Sequence, residues 1–264
     1  MPLWLHDVPP LIAAAIMVVF IETISLIGLF LVRRLLIGRF YYHEGANDAV
    51  SGTVHAIGVF YGITVGLIAI GVWDTNSNAY DLVSKEATSI GVLYRDVSSY
   101  PQPVRDELRG NLREYTVFII EQTWPGQKKG QILNAGTRIM DDFQARLNAF
   151  EPLTPGQASL HAETLRAYNN LIEYRRLRIG AVNSGLSIMM WAVIWVGAAI
   201  TIAVVYFFKL HDAKLHAILV ALMGGFLAMV LFMIMINDKP FYGYSSVSSE
   251  PYKLILDRLI DLTK

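Results

Sequence analysis

Residues 51–73 read SGTVHAIGVFYGITVGLIAIGVW, an apolar run with no Asp, Glu, Lys or Arg. It is long enough to cross a bilayer as a helix, which takes about 20 residues. Gly58, Gly62 and Gly66 recur every fourth position, with His55 one turn earlier and Ser51, Ala69 and Trp73 on the same face. Glycine weakens an isolated helix by roughly 1 kcal/mol relative to alanine, so a face built of it needs a use. Small residues at this spacing let membrane helices approach closely. They would equally keep a permeation path wide, with His55 as a titratable group at its mouth. The adjacent face carries Ile57, Tyr61, Thr64 and Ile68.

Three further runs have the length and apolarity of spans: Pro9–Val32, Ala181–Phe208 and Ala217–Ile236. The chain as a whole is 54% hydrophobic and 17% charged, too apolar for an ordinary soluble domain. Its formal net charge is zero, so no basic field points to nucleic acid. It has no cysteine, which excludes disulfides, thiol catalysis and Cys-based metal sites. The leading MPLWLHDVPP lacks a basic n-region, so the first run reads as a retained span.

Between the second and third spans the periodicity becomes that of amphipathic helices. Ala79, Val83, Ala87, Ile90, Tyr94 and Val97 form one stripe; Val104, Leu108, Leu112, Tyr115 and Phe118 form the next, ending at Trp124-Pro125. Ile132, Ile139, Phe143, Leu147 and Phe150 form a third. A fourth helix starts at TPGQ, with Thr154 as N-cap, Pro155 at the first helical position and Gln157 completing a capping box. No strand alternation competes. The expected fold is all-α: a polytopic membrane protein with four transmembrane helices and a helical extramembrane bundle inserted between the second and third. The expected division is 1–74 and 181–237 as transmembrane pairs, 75–180 as the insert and 238–264 as a C-terminal tail. The second and third spans are expected to continue as helices into the insert.

An even number of spans places both termini and the insert on one side. The short loops opposite carry Arg33, Arg34, Arg39, Lys209 and Lys214, which the positive-inside rule makes cytoplasmic. Arg175, Arg176 and Arg178 crowd the third span from the insert side, and Lys239 follows the fourth.

Glu22 sits near the middle of the first span, where a carboxylate costs a few kcal/mol unless paired, protonated or facing water. It serves either as a cation- or proton-handling group or as a neutral acid bonded to a neighbouring helix through Tyr61 or Thr64. Arg175, Arg176 and Arg178 read either as a headgroup-facing cluster or, in a ring of subunits, as positive charge at a vestibule. Met223, Met229, Met233 and Met235, with Trp191 and Trp195, read as lipid-facing or packing residues, and Trp73 as an interface anchor. His43, Glu44 and Asp48 collect in a short loop that suits a solvated connector better than a divalent ion. No HExxH, GxSxG, Walker or Rossmann pattern occurs, so no enzyme, cofactor or metal centre is expected.

The run Asp238-Lys239-Pro240-Phe241-Tyr242-Gly243, followed by Pro251, resembles the closing signature of the bestrophin-like membrane family, a D-x-P-F-x-G turn followed by proline. Asn47-Asp48 before the second span, Trp73 at its end, Glu86-Ala87, Trp124-Pro125 and Arg175-Arg176-x-Arg178 match other pieces in order. The likeness extends more distantly to bestrophin anion channels. It implies a homo-oligomer, pentameric by analogy, with a central pore formed by the second helix and a cytoplasmic helical body. That places the insert opposite to the side given by the short-loop charges. Bulky apolar residues line the bestrophin pore neck, whereas this span offers glycines. An acidic calcium-binding run is replaced here by YSSVSSEP, so calcium gating is not implied. The function expected is a multi-pass inner-membrane channel for small anions whose partners are the bilayer, its own copies and small inorganic ions. The rival readings are a non-conducting scaffold or sensor that binds a partner through the insert, and a proton- or cation-coupled transporter using Glu22.

Overall fold

The computed structural model describes residues 3–37, 45–133 and 135–261. Arg39, His43 and Glu44 lie outside them. Among the described residues there is no strand. The helices are α1 (Pro10–Val32), α2 (Ala46–Val97), α3 (Val104–Phe118), α4 (Trp124–Gln127), α5 (Ala135–Asn148), α6 (Pro155–Val182), α7 (Ile188–Val205), α8 (Ala213–Asp238) and α9 (Glu250–Ile255). The chain divides into two compact units, Met1–Thr75 with Gly185–Asp238 and Asn76–Ser184 with Lys239–Lys264.

The first unit holds α1, the first part of α2, α7 and α8, and among the described residues these four helices are long and apolar enough to cross a membrane. Ala13, Met17 and Ile21 of α1 pack with Val65 and Val72 of α2, Ile194 and Ala198 of α7, and Ala228, Leu231 and Met235 of α8. Close approach depends on glycines outside the 58–66 stretch. A Cβ at Gly224 would stand 3.1 Å from the Ser25 hydroxyl, one at Gly225 2.8 Å from Glu22 Oε1, and one at Gly28 2.6 Å from the Tyr206 hydroxyl. At Gly197 it would collide with the Tyr61 ring.

The third span does not continue from the insert as expected. α6 stops at Val182, and α7 begins only at Ile188. Gly185 takes φ 154°, a region that favours glycine, and Ser187 caps α7 by accepting from the Met190 amide at 3.2 Å. Asp238, at the end of α8, pins the break: Oδ1 accepts from the Leu186 amide at 2.5 Å and Oδ2 from Trp191 Nε1 at 3.2 Å. Trp191 is therefore a hydrogen-bonding residue as well as a packing one. Replacing Asp238 with Ala strands both donors and should cost about 1–3 kcal/mol, read as a drop in thermal unfolding temperature in detergent; Asp238→Asn should cost less. α2, by contrast, runs unbroken from Ala46 to Val97.

In the second unit the expected stripe of α2 is buried at every position from Ala79 to Val97. Leu108, Leu112 and Tyr115 of α3, Met140, Phe143 and Leu147 of α5, and Tyr168 and Leu171 of α6 close the core around it. The C-terminal Phe241, Val247, Tyr252 and Ile260 belong to the same core. α3 does not end at Trp124-Pro125: it passes through a π turn, Ile119–Thr123, into α4, where Pro125 occupies the first turn. Proline brings no N–H, so the helical ladder loses one bond where the π turn gives way to α4. Ile132 precedes α5 and Phe150 follows it, so neither lies in the helix expected.

Thr154 caps α6, its Oγ1 accepting from the Gln157 amide at 3.2 Å. Gln157 reaches back one residue further than a capping box requires, accepting from the Leu153 amide at 2.8 Å. Thr154→Ala should cost about 1 kcal/mol, checked by denaturant unfolding.

Candidate functional site

Within its own unit α2 turns Tyr61, Val65, Ile68 and Val72 towards the other spans, and Ile57 is half-buried. Tyr61 fixes this rotation: its hydroxyl donates to the Ile194 carbonyl at 3.0 Å and its ring covers Gly197. The glycine face is consequently turned outwards. His55, Gly58, Gly62, Thr64 and Gly66 are exposed, and among the described residues nothing lies within 4 Å of where a Cβ on any of the three glycines would stand. The glycines thus pack no described residue outside α2. Of the adjacent face only Thr64 looks outwards, and its hydroxyl donates to the Phe60 carbonyl at 2.8 Å.

α2 exposes Val59, Phe60, Ile63, Leu67 and Ile70 as well, and differs from the other spans in adding exposed glycines and His55. α1 presents Leu11, Val19, Ile24 and Phe30; α7 presents Ile188, Val193 and Ile200; α8 presents Leu222, Phe226 and Met229. Those are surfaces for lipid chains, against which small residues and an imidazole gain nothing.

Glu22 is half-buried against Gly225, whose missing side chain makes room for the carboxylate. The expected bonds to Tyr61 and Thr64 do not form, because those hydroxyls serve Ile194 and Phe60. Thr23 and Ser25 donate to their own helix, at Val19 and Ile21. Met229 and Met233 are exposed, Met235 is buried and Trp73 is 65% exposed.

The three arginines of α6 separate. Arg176 is exposed, and Arg175 is half-buried with Nη2 donating to Thr137 Oγ1 at 2.8 Å. Arg178 is 1% exposed, so the surface charge expected of it is absent. The physical reason is Glu86, equally buried on the inner edge of the α2 stripe. Arg178 donates from Nε to Glu86 Oε2 at 2.5 Å and from Nη2 to Oε1 at 3.2 Å. Tyr115 donates its hydroxyl to Glu86 Oε1 at 2.7 Å. The guanidinium also lies over the Trp124 ring, 5.7 Å from its centre.

Trp124 links this cluster to the C-terminal turn. Its Nε1 donates to the Val247 carbonyl at 2.9 Å, and its ring meets Phe241 at 5.9 Å and Tyr252 at 5.3 Å. The turn is closed by the Val247 amide donating to the Pro240 carbonyl at 2.7 Å. At Gly243 φ is 71°, and its amide donates to the Lys128 carbonyl. A side chain there would be strained.

Burial by itself disfavours the charged guanidinium of Arg178, but the Glu86 carboxylate beside it more than offsets this, and the pKa lies above the ordinary value. Burial first, and then the Glu86 charge, push the Tyr115 and Tyr252 hydroxyls well above the usual phenol range. A phenol whose pKa is raised by folding contributes stability that is full below the unfolded value near 10 and is lost as pH rises towards the folded one. Alkaline titration followed by phenolate absorbance should therefore leave Tyr115 and Tyr252 un-ionised until the protein unfolds. Absorbance from every tyrosine rising before loss of helical signal would contradict this.

Asp48 lies in the first turn of α2. Among the described residues no group of three His, Asp or Glu is placed to hold a metal.

A sequence model of the Bestrophin-like domain matches residues 19–252. The chain belongs to the Bestrophin-like family. Among solved structures it is similar to a bacterial bestrophin homologue from Klebsiella pneumoniae carrying a point substitution, at 11% identity and a TM-score of 0.66, over 97% of this chain and 99% of that one. It is also similar to a membrane protein carrying a proline-to-alanine substitution, at 10% identity and a TM-score of 0.67, over 95% and 98% of the two chains. At such identity the likeness establishes the fold. No protein of curated description matches the sequence. This Bestrophin-like chain is an all-α membrane protein. Its motif residues Glu86, Trp124 and Arg178, scattered along the sequence, meet at one buried ion pair, and Phe241 of the closing turn packs on Trp124. Asp238 of the same turn acts instead in the span unit.

Sequence reasoning missed the pairing of Glu86 with Arg178 and the part of Tyr115 in it. One signal was present: Glu86 sits beside Val83, Ala87 and Ile90 on a stripe that must be buried, and a carboxylate there needs a cation.

Proposed function

We propose that this protein assembles from several copies into an ion channel in which the outward face of α2 lines the conduction path, and that it passes small anions. The observation that carries this reading is the α2 surface: among exposed apolar residues such as Phe60 and Leu67 it leaves three glycines, Thr64 and His55 uncovered by any described residue, and the other spans expose no glycine. Copies arranged around an axis would give those positions water and each other in place of lipid. Glycines at 58, 62 and 66 keep the path wide, and His55 supplies a titratable group at one mouth. Between Thr53 and Trp73 the face carries no carboxylate that would favour cations. The family resemblance adds pentameric stoichiometry and a cytoplasmic position for the unit built from 76–184 and 239–264. In that arrangement Arg175 and Arg176 raise the anion concentration at the vestibule. Planar-bilayer recording of purified protein tests the reading: current with a reversal potential that follows the chloride gradient supports it, and a folded oligomer that is silent at every voltage and pH overturns it.

Among the described residues no group hydrogen-bonds or pairs with Glu22, which favours one rival, coupled transport. The channel reading expects Glu22→Gln to leave current unchanged, because the residue faces Gly225 within the unit and not the α2 face. Loss of a proton-coupled flux in that variant, with assembly intact, would favour the transporter.

A further inference from the structure

At the end of the span unit where α1 finishes, Leu26, Leu29 and Phe30 of α1 and Arg33 and Arg34 of the π turn that follows it, Arg33–Ile37, line one wall. With Ala213 and Ala217 of α8 they line a groove of about 490 Å³. The wall is apolar from Leu26 to Phe30 and then cationic at Arg33 and Arg34, directly beyond the end of α1. The small side chains of Ala213 and Ala217 leave the groove open.

Arg33 is held in place. His216 is fully buried, and its Nε2 meets the Val205 carbonyl at 3.0 Å. A carbonyl only accepts, so Nε2 carries the proton and Nδ1 is the acceptor. That Nδ1 lies 3.1 Å from Arg33 Nη1. Val205 thereby orients His216, and His216 anchors one arm of the guanidinium while leaving its charge intact. Arg34 beside it is exposed, and among the described residues no carboxylate is ion-paired with either arginine. The nearby Asp212 is engaged as a helix cap, its Oδ1 accepting from the Lys214 and Leu215 amides.

We propose that this groove binds an anionic phospholipid, its phosphate held by Arg33 and Arg34 and an acyl chain lying along Leu26, Leu29, Phe30 and Ala217. The wall changes from apolar to cationic along its length as a phospholipid changes from chain to phosphate. Guanidinium is also the cation that best matches phosphate geometry. A free anion would leave the apolar wall uncovered, and a zwitterionic lipid would return the positive charge that the site already holds. The proposal rests on the spans lying in a bilayer and is independent of conduction.

Native mass spectrometry of the full-length protein, titrated with phosphatidylglycerol and phosphatidylcholine of identical chains, tests it. Phosphatidylglycerol should be retained in preference. A basic residue near a lipid surface is worth about fivefold at low salt, so Arg34→Gln should cut that retention roughly fivefold and the double change with Arg33→Gln roughly thirtyfold. Phosphatidylcholine retention should not move, and Ala217→Trp, which fills the groove, should reduce both lipids. Should the double variant fail to fold through loss of the His216 contact, Arg34→Gln carries the test alone. The proposal is overturned by equal retention of the two lipids, by phosphatidylglycerol retention unchanged in Arg34→Gln, or by complete displacement by inorganic phosphate, which would mark a simple anion site. Cross-linking that places another copy of the chain over the groove, with no lipid retained, overturns it too.

Discussion

Substituting Glu86 with Ala should destabilise this protein by about 3–5 kcal/mol, because it leaves the Arg178 guanidinium buried without a counter-charge. The loss spreads beyond one ion pair. Glu86 also accepts from Tyr115, and Arg178 lies over Trp124, whose ring supports Phe241 and Tyr252. The carboxylate therefore joins α2, α3 and α6 to the C-terminal turn. Denaturant unfolding in detergent should show the loss, and the reciprocal Arg178→Ala should cost a similar amount. The pair Glu86→Leu with Arg178→Met, which removes both charges while keeping volume, should recover much of it. Single variants as stable as the parent would mean that water or another group neutralises the remaining charge.

The second large effect separates two glycines. Gly197→Leu drives a side chain into the Tyr61 ring and breaks the seat of α2 against α7, an overpacking expected to cost about 1–3 kcal/mol and to reduce the folded yield. In Gly62→Leu the new Cβ meets no described atom outside its own helix within 4 Å, and a poor helix former is replaced with a good one, so the single chain should keep its stability. Its consequence lies in the assembly: reconstituted protein should fold and lose its current. If Gly62→Leu conducts normally, the α2 face does not line the path. If it instead dissociates the oligomer, the glycines serve contact between copies.

Much of the fold was legible because its signals are local. Apolar runs of span length and stripes such as Val83, Ala87 and Ile90 follow from helix periodicity alone. The break before α7 was hidden, because Asn183, Gly185 and Ser187 interrupt a run whose composition stays apolar, and its anchor, Asp238, is distant in sequence. The site divided in the same way. Residues facing outwards, such as His55 and Gly62, were named, but which face of α2 the chain would cover was settled by Tyr61 choosing Ile194 and Gly197. Arg178 was misread as surface charge because a pair of residues 92 positions apart carries no local pattern. The closing turn was visible as a motif, while its work, seating Phe241 on Trp124, needed three dimensions.

The chain has no cysteine, so a single introduced thiol reports one position cleanly. The most direct test of the channel reading is bilayer recording from Gly62→Cys protein before and after a charged thiol reagent, with lipid-facing Phe226→Cys as control. The expected result is current that the reagent blocks in Gly62→Cys and leaves unchanged in Phe226→Cys. Current that persists in modified Gly62→Cys protein, or equal block at both positions, would contradict it.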